Sequence, residues 1–420
     1  MENQQSLLSP YRALDLTDEK GFFCGRILGD LGVDVIKIEP PGGDPSRRIG
    51  PFYHDIPHPQ KSLYWFAYNA NKRGITLNIE TTDGQEIFKR LVKNTDFVIE
   101  SFPPGYMDKI GLGYSTLNRT NPKIILTSIT PFGQAGPWRD YEGSDIALWA
   151  LSSYMYVIGD EDRPPVQFSF PQSFLHASLE ASAATMVALH HRQLTGEGQW
   201  VDVSAQQALI VISLQNQQYW NLVKFNPKRS GPCIYRLGVK WGRQRRTWKC
   251  KDGFICYIIM AGQIGAPGNK AMVEWMDSEG LAPERMKQID WTAFDAHAEG
   301  ITVEDYELIS NALTAFFERH TKAELYEGAV KRRIVLYPCS TVEDLRNDPQ
   351  LIARDFWTEV KHSELNDTLV YPRPCMLGSE TSYAIKRRAP LIGEHNEEIY
   401  MGELDFSREE LILLKQGGVI

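Results

Sequence analysis

The most sharply patterned stretch of the chain runs over 171–204. Leu175, Leu179, Ala183, Met186, Val187, Leu189 and His190 recur near a 3.6-residue period with Ala and Ser between them. That spacing predicts a closely packed helix of about six turns that buries this stripe. Thr195-Gly196-Glu197-Gly198 ends it, because glycine adopts the left-handed backbone that closes helices, and 199–204 alternates as a strand does. The preceding segment, 163–171, is rich in Pro and aromatic residues, so the free N–H groups of the helix open on a loop where an anion can rest.

Strand and helix patterns alternate through the residues before it. Strands are expected at 13–16, 33–38, 75–79, 97–100 and 123–130, and helices at 19–31, 82–93 and 146–158, the last capped by Ser144 and Asp145. A βαβ opening of this kind predicts an α/β fold with a largely parallel sheet. Three strands run into Gly/Pro loops, at 39–48, 101–105 and 131–137, on the C-terminal edge where such sheets take ligands. The first loop carries Arg47 and Arg48, which serve either a ligand or solvent. No G-x-G-x-x-G joins the first strand to its helix, so a nicotinamide dinucleotide reading starts weak.

Helical pattern continues to 223, after which 224–246 is dense in Lys and Arg and reads as linker and exposed loop. A hairpin at 248–260 turning on Asp252-Gly253, then helices at 271–278, 302–318 and 322–333, make a smaller α+β lobe. Strands at 356–362 and 369–371 and a helix at 408–415 follow. The expected division is 1–223, 224–333 and 334–420.

Composition narrows the function classes. With 420 residues, 42% hydrophobic and 23% charged, the chain has the makings of a soluble globular protein of two lobes. A net charge of −8 gives no general attraction to nucleic acid or an anionic membrane, so any phosphate is held locally. The first residues lack a basic and an apolar region, and 146–158 is too short to span a bilayer, so a cytoplasmic protein is expected. Six scattered cysteines, with no C-x-x-C, suit a reduced compartment. His190 and His191 point to different sides of their helix, and no metal site is expected.

Several motifs in order carry a family resemblance: Leu31-Gly-Val-Asp-Val-Ile-Lys-Ile-Glu-Pro40, Gly43-Asp-Pro-Ser-Arg47, Asn69-Ala-Asn-Lys-Arg73, Glu100-Ser-Phe-Pro-Pro-Gly105, Thr195-Gly-Glu-Gly-Gln199 and Ala389-Pro-Leu-Ile-Gly-Glu-His395. The chain resembles the class III CoA transferases, a family that includes formyl-CoA transferase, carnitine CoA-transferase and alpha-methylacyl-CoA racemase. The resemblance implies a Rossmann-like large domain formed by both chain ends, a smaller inserted domain and two interlocked subunits. It implies coenzyme A or acyl-CoA as substrate, over the C-terminal strand edge. Carried over position by position, CoA contacts fall at Pro40, Leu77, Asn78, Ile79, Glu80, Ser101, Phe102, Pro103, Lys109, Tyr141, Glu142, Gly143 and Ser144. Core packing is the lesser alternative for Phe102, and a free surface position the alternative for Lys109, the cation favoured for a phosphate.

The family's chemistry implies a nucleophilic aspartate. It attacks the thioester to give a mixed anhydride and CoA thiolate, the thiolate returns to give an enzyme thioester, and the acceptor acid repeats the sequence in reverse. The resemblance places that aspartate at the head of the long helix, here Ser173 or Phe174, and no Asp or Glu lies between Asp162 and Glu180. Glu180 is almost two turns into the helix. No catalytic residue is therefore assigned to this chain. The pattern is similar to heteromeric members such as succinyl-CoA:benzylsuccinate CoA-transferase, in which one of two related subunits lacks the nucleophile. It implies a non-catalytic subunit whose homologous partner supplies the aspartate, moving CoA from an acyl-CoA such as succinyl-CoA to a carboxylic acid such as an aromatic succinate. The alternatives are an active homodimeric transferase, an acyl-CoA racemase or isomerase, for which Ser144 stands where a histidine is needed, and a CoA-binding protein without catalysis.

Overall fold

A computed structural model describes residues 6–235, 243–260, 262–292, 302–381 and 383–420; part of the linker expected at 224–246 lies outside them. The chain divides into two compact units, one of Met1–Ser152, Phe168–Leu214 and Pro349–Ile420, the other of Ser153–Gln167 and Gln215–Asp348.

The first unit is built on a parallel sheet of β1 (Arg12–Asp15), β2 (Asp34–Glu39), β3 (Lys72–Thr76), β4 (Phe97–Glu100), β5 (Ile125–Thr130) and β6 (Trp200–Ser204). Their order, 3-2-1-4-5-6, is that of a doubly wound α/β sheet and reverses between β1 and β4, the kind of crevice where such sheets take ligands. Its connections include α1 (Phe22–Asp30), α2 (Leu63–Asn69), α3 (Thr82–Val92), α4 (Tyr106–Lys109) and α5 (Tyr114–Thr120). β3 begins three residues before the expected strand at 75–79, because it is built from Lys72-Arg73-Gly74 with both charged side chains in ion pairs. Leu77, Asn78 and Ile79 thereby fall beyond the strand, in the loop at its C-terminal end.

The helix expected at 146–158 is two pieces, α6 (Asp145–Leu151) and α7 (Tyr154–Val157), broken where Ser153 takes a left-handed backbone at φ 69°. The long helix is α8 (Ser173–Thr195), closed by Gly196 at φ 82°. Gly198 then passes so near β5 that a Cβ would lie 2.0 Å from the Ile124 carbonyl oxygen, which only glycine tolerates.

The expected buried stripe of α8 is a correction. Leu179 and Val187 are 48% and 68% exposed, whereas Leu189 is buried as expected, and the buried face is Ser173, Ala177, Ser178, Ala181, Ser182, Thr185, Ala188, Leu189 and Arg192. The helix lies against α1 and β5, and Thr185 Oγ1 meets Thr127 Oγ1 at 2.7 Å, an approach only small side chains permit.

The end of the chain also belongs to this unit: Asn78 N–H donates to the Val419 carbonyl at 2.7 Å and Gly74 N–H to His395 Nδ1 at 3.0 Å. The strands Trp357–His362 and Asp367–Pro372 pair with each other as an antiparallel hairpin apart from the main sheet.

The second unit contains α7, α10 (Leu214–Val223, following α9, Ala205–Ile212) and a three-stranded antiparallel sheet of Leu336–Pro338, Gly253–Tyr257 and Thr247–Cys250. Cys250 pairs with Gly253, so the hairpin turns on Lys251-Asp252 rather than on Asp252-Gly253. Helices Gly262–Ser278, Val303–Phe317 and Lys322–Arg332 cover its core around Trp248, Trp275 and Phe316. Leu336–Pro338 belongs to this sheet, and the return to the first unit comes at Pro349.

Candidate active site

A cavity of about 680 Å³ opens at the C-terminal ends of β1 to β4. The loops after β2, β3 and β4 supply Pro40, Leu77, Asn78, Ile79, Glu80, Ser101 and Phe102, all marked by the sequence, and Gly418 joins them. Pro103 lines a separate pocket of about 220 Å³ with Glu100, Ser128 and Trp200. The remaining residues are elsewhere: Lys109 is exposed at the end of α4, Tyr141 and Glu142 are exposed, Gly143 packs on Pro131, and Ser144 precedes α6.

Arg47 does not reach the cavity, which corrects the expectation of a guanidinium at this edge. It is 1% exposed, binds both oxygens of Glu39 at 2.6 and 2.7 Å, and stacks 3.7 Å from the Trp65 ring centroid. Its planar fork fixes the loop after β2 in place. Lys37 acts similarly from below, fully buried and donating to the carbonyl of Thr17. Beside it Lys72 pairs with Asp15 at 2.7 Å; burial pulls the Lys72 ammonium down to about 8 against the attraction of Asp15.

Among the described residues the cavity wall carries the carboxylates of Asp18, Glu19, Glu39, Asp44 and Glu80 and no Lys or Arg, but three of these carboxylates pair with cations beside it: Asp18 with Lys20, Glu39 with Arg47 at 2.6 Å, and Asp44 with Lys37 at 3.9 Å. Several are engaged: Ser46 Oγ donates to Glu19 at 2.6 Å, Ser101 Oγ to Asp18 at 2.7 Å and Tyr106 OH to Glu80 at 2.8 Å. Glu100, at the root of the 101–105 loop, accepts the Phe102 N–H at 2.7 Å. Burial pushes its carboxyl up to about 7, the hydrogen bonds from Ser128 and Phe102 working against that rise and the charges of Asp18 and Asp202 adding to it.

α8 reaches the loop after β1 through its second turn, where Ser178 Oγ donates to the carbonyl of Lys20 at 3.4 Å, and its head is Ser173. Ser173 is fully buried there, and the residue before the helix, Gln172, caps nothing with its side chain. The cap comes instead from Asp145: its Oδ1 accepts the N–H groups of Gln172 and Ser173, each at 2.8 Å, and the Ser173 hydroxyl. Asp145 therefore serves α8 rather than its own helix, a role that no local pattern in the sequence reveals across 28 residues. His176 on the first turn is held below its ordinary value by burial, against the charges of Asp145 and Glu180. Burial, with the nearby charges of Tyr68, Glu19, Asp18 and Asp145, pushes the Tyr64 phenol up. Glu180 is exposed.

The profile of CoA-transferase family III matches residues 9–396. The chain belongs to this family. It is 33% identical over 98% of both chains to the subunit BbsE of succinyl-CoA:(R)-benzylsuccinate CoA-transferase from Thauera aromatica. It is 31% identical to the formyl-CoA:oxalate CoA-transferase of Streptomyces avermitilis, over 98% of this chain and 99% of the relative. A CAIB/BAIF family protein from Brucella suis has the same fold, with a TM-score of 0.80 and 26% identity over 95% of this chain and all of that one. A family III CoA-transferase takes an acyl-CoA as substrate. Among the described residues no group of three His, Cys, Asp or Glu is placed to hold a metal ion, and no helix is long and apolar enough to cross a membrane.

Proposed function

We propose that this family III CoA-transferase chain is the subunit without the nucleophile in a heteromeric cytoplasmic enzyme. Its homologous, interlocked partner supplies the aspartate, and CoA moves from succinyl-CoA to a carboxylic acid such as an aromatic succinate. The observation that carries this reading is the buried Ser173 at the helix head, where the chemistry requires a carboxylate that forms an anhydride and a hydroxyl would form a stable ester. The name of BbsE as a subunit of a succinyl-CoA-dependent transferase supports both the pairing and the donor. The CoA-loop residues Pro40, Leu77 to Glu80, Ser101 and Phe102 share one cavity, which supports retained binding of the nucleotide there. Native mass spectrometry of the protein purified from its host is expected to give a stoichiometric complex with a homologue bearing an aspartate at its helix head. Full turnover by this chain alone overturns the reading.

One observation favours a second reading, an active homodimer. Asp145 brings a carboxylate to the helix head from outside the helix, and its Oδ2 could attack a thioester while Oδ1 is held. Three donors on Oδ1 draw its charge away and weaken it as a nucleophile, which ranks this reading second. Hydroxylamine added during turnover converts Asp145 into a hydroxamate, with loss of CoA thiolate, if the Asp145 carboxyl becomes the enzyme–CoA thioester; an unmodified Asp145 in a turning-over homodimer removes the idea.

A further inference from the structure

The second unit contains a cavity of about 290 Å³ that the transfer chemistry above leaves unused. It lies between α7 and α10. Positions 216, 217, 220 and 221 share one face of α10 and present Asn216, Gln217, Trp220 and Asn221, while Tyr156 and Asn226 complete the wall. Among the described residues no Asp, Glu, Lys or Arg is part of the lining. Cations stand at its edge: Lys224 Nζ is 5.5 Å from the Trp220 ring centroid, and Arg229 lies 5.8 Å from that of Tyr156 and donates to the Tyr156 carbonyl at 3.1 Å. The carboxylates that follow α7, Asp160 and Glu161, face Arg163 at 3.9 Å and Lys228 at 3.6 Å.

Two further features point to a ligand. Ser153, which breaks the helix at a left-handed φ of 69°, lines the cavity, and its Oγ is buried without a hydrogen-bond partner among the described residues. Such backbone strain and an unpaired buried hydroxyl both cost stability and gather at functional sites. The four carboxamides offer two N–H donors each on a wall free of negative charge, beside two aromatic faces. The cavity of the first unit is the opposite, walled by five carboxylates.

We propose that this cavity binds a carboxylic acid that carries an aromatic ring, with the ring against Trp220 and Tyr156 and the carboxylate on the carboxamides of α10. Assigning that acid as the CoA acceptor rests on the transferase reading; its binding does not, and the test needs neither CoA nor turnover. The probe is 3-phenylpropionate, titrated into the full chain, alone and in its purified complex, with calorimetry and tryptophan fluorescence as readouts and 3-phenylpropionamide as the neutral control. Saturable binding is expected, with the acid bound more tightly than the amide. Asn221→Asp is expected to weaken the acid about tenfold, roughly 1.4 kcal/mol, and to leave the amide unchanged. Trp220→Phe removes the fluorescence change while circular dichroism stays that of the parent. No saturable binding at millimolar acid, equal binding of acid and amide, or an Asn221→Asp protein that binds the acid like the parent each overturns the proposal. Co-purification of a homologous partner is a separate result, so loss of this site leaves the subunit reading standing.

Discussion

At the residue scale the helix head turns on Asp145 and Ser173. One carboxylate oxygen satisfies two free N–H groups at the start of α8 and a buried hydroxyl, so removing it strands the two N–H groups and leaves the hydroxyl only the Asp145 carbonyl at 3.2 Å. Asp145→Ala is expected to lower stability by about 1–2 kcal/mol in urea unfolding, within the range of lost N-caps, and Ser173→Ala by less. A Ser173→Asp protein would set two carboxylates side by side and is expected to unfold more easily as pH rises through the carboxylate range. Glu100 supplies a second titration. Its carboxyl stands near 7 when folded against an ordinary 4.5, so its contribution is full below 4.5 and is lost as pH rises through about 7. Glu100→Gln is expected to gain stability relative to the parent over that window, on the order of 3 kcal/mol in total, read from urea midpoints at pH 5 and pH 8. A gap between the two proteins that does not change with pH defeats this assignment. Neither residue's environment was legible in the sequence: Glu100 shows as the end of a strand, and its burial beside Asp18, Ser128 and Asp202 is set by three other segments.

At the element scale the sequence carried the sheet well, because parallel strands covered on both faces are continuous apolar runs such as Phe97-Val-Ile-Glu100, predicted residue for residue. It failed on which face of α8 is buried. Periodicity marks the large apolar side chains, whereas α1 and β5 approach so closely that the Ala, Ser and Thr positions go inward. The two faces are therefore expected to respond oppositely to size. Ala181→Leu overpacks a fully buried position and is expected to cost about 1–3 kcal/mol, while Val187→Ser on the exposed face changes the chain's own stability by less than about 0.5 kcal/mol. If Val187→Ser also weakens a complex with a partner subunit, measured by analytical ultracentrifugation, the exposed stripe is an interface; a complex of undiminished strength places the interface elsewhere. The helix at 146–158 was misread for a related reason, since its unbroken apolar pattern does not betray the left-handed Ser153 that divides it between the two units.

For the whole molecule, the sequence showed where a CoA-binding edge should be but not its charge. The Gly/Pro loops after β2 and β4 do converge, joined by the loop after β3, whereas the third expected Gly/Pro loop, 131–137, does not line the cavity; neither do the two guanidinium groups read as serving a ligand or solvent, since Arg47 is paired with Glu39 and Arg48 is exposed. On a chain of net charge −8, the phosphates of a CoA bound at this cavity, as proposed, would meet like charge at long range, and at the wall from those carboxylates that no neighbouring cation pairs. Salt screens such repulsion, whereas it weakens a site built on Lys and Arg. CoA affinity of the isolated chain, measured by calorimetry across about a tenfold rise in salt, is therefore expected to hold steady or increase. Glu80→Gln, which removes a charge bonded to the Tyr106 hydroxyl, is expected to raise it at low salt and to matter less at high salt. Affinity that falls steeply with salt would mean that cations outside the wall hold the phosphates. The complex proposed with a homologous partner is then the informative comparison: a falling salt dependence that appears only in such a complex assigns those cations to the partner subunit, and one already present in the isolated chain assigns them to this one.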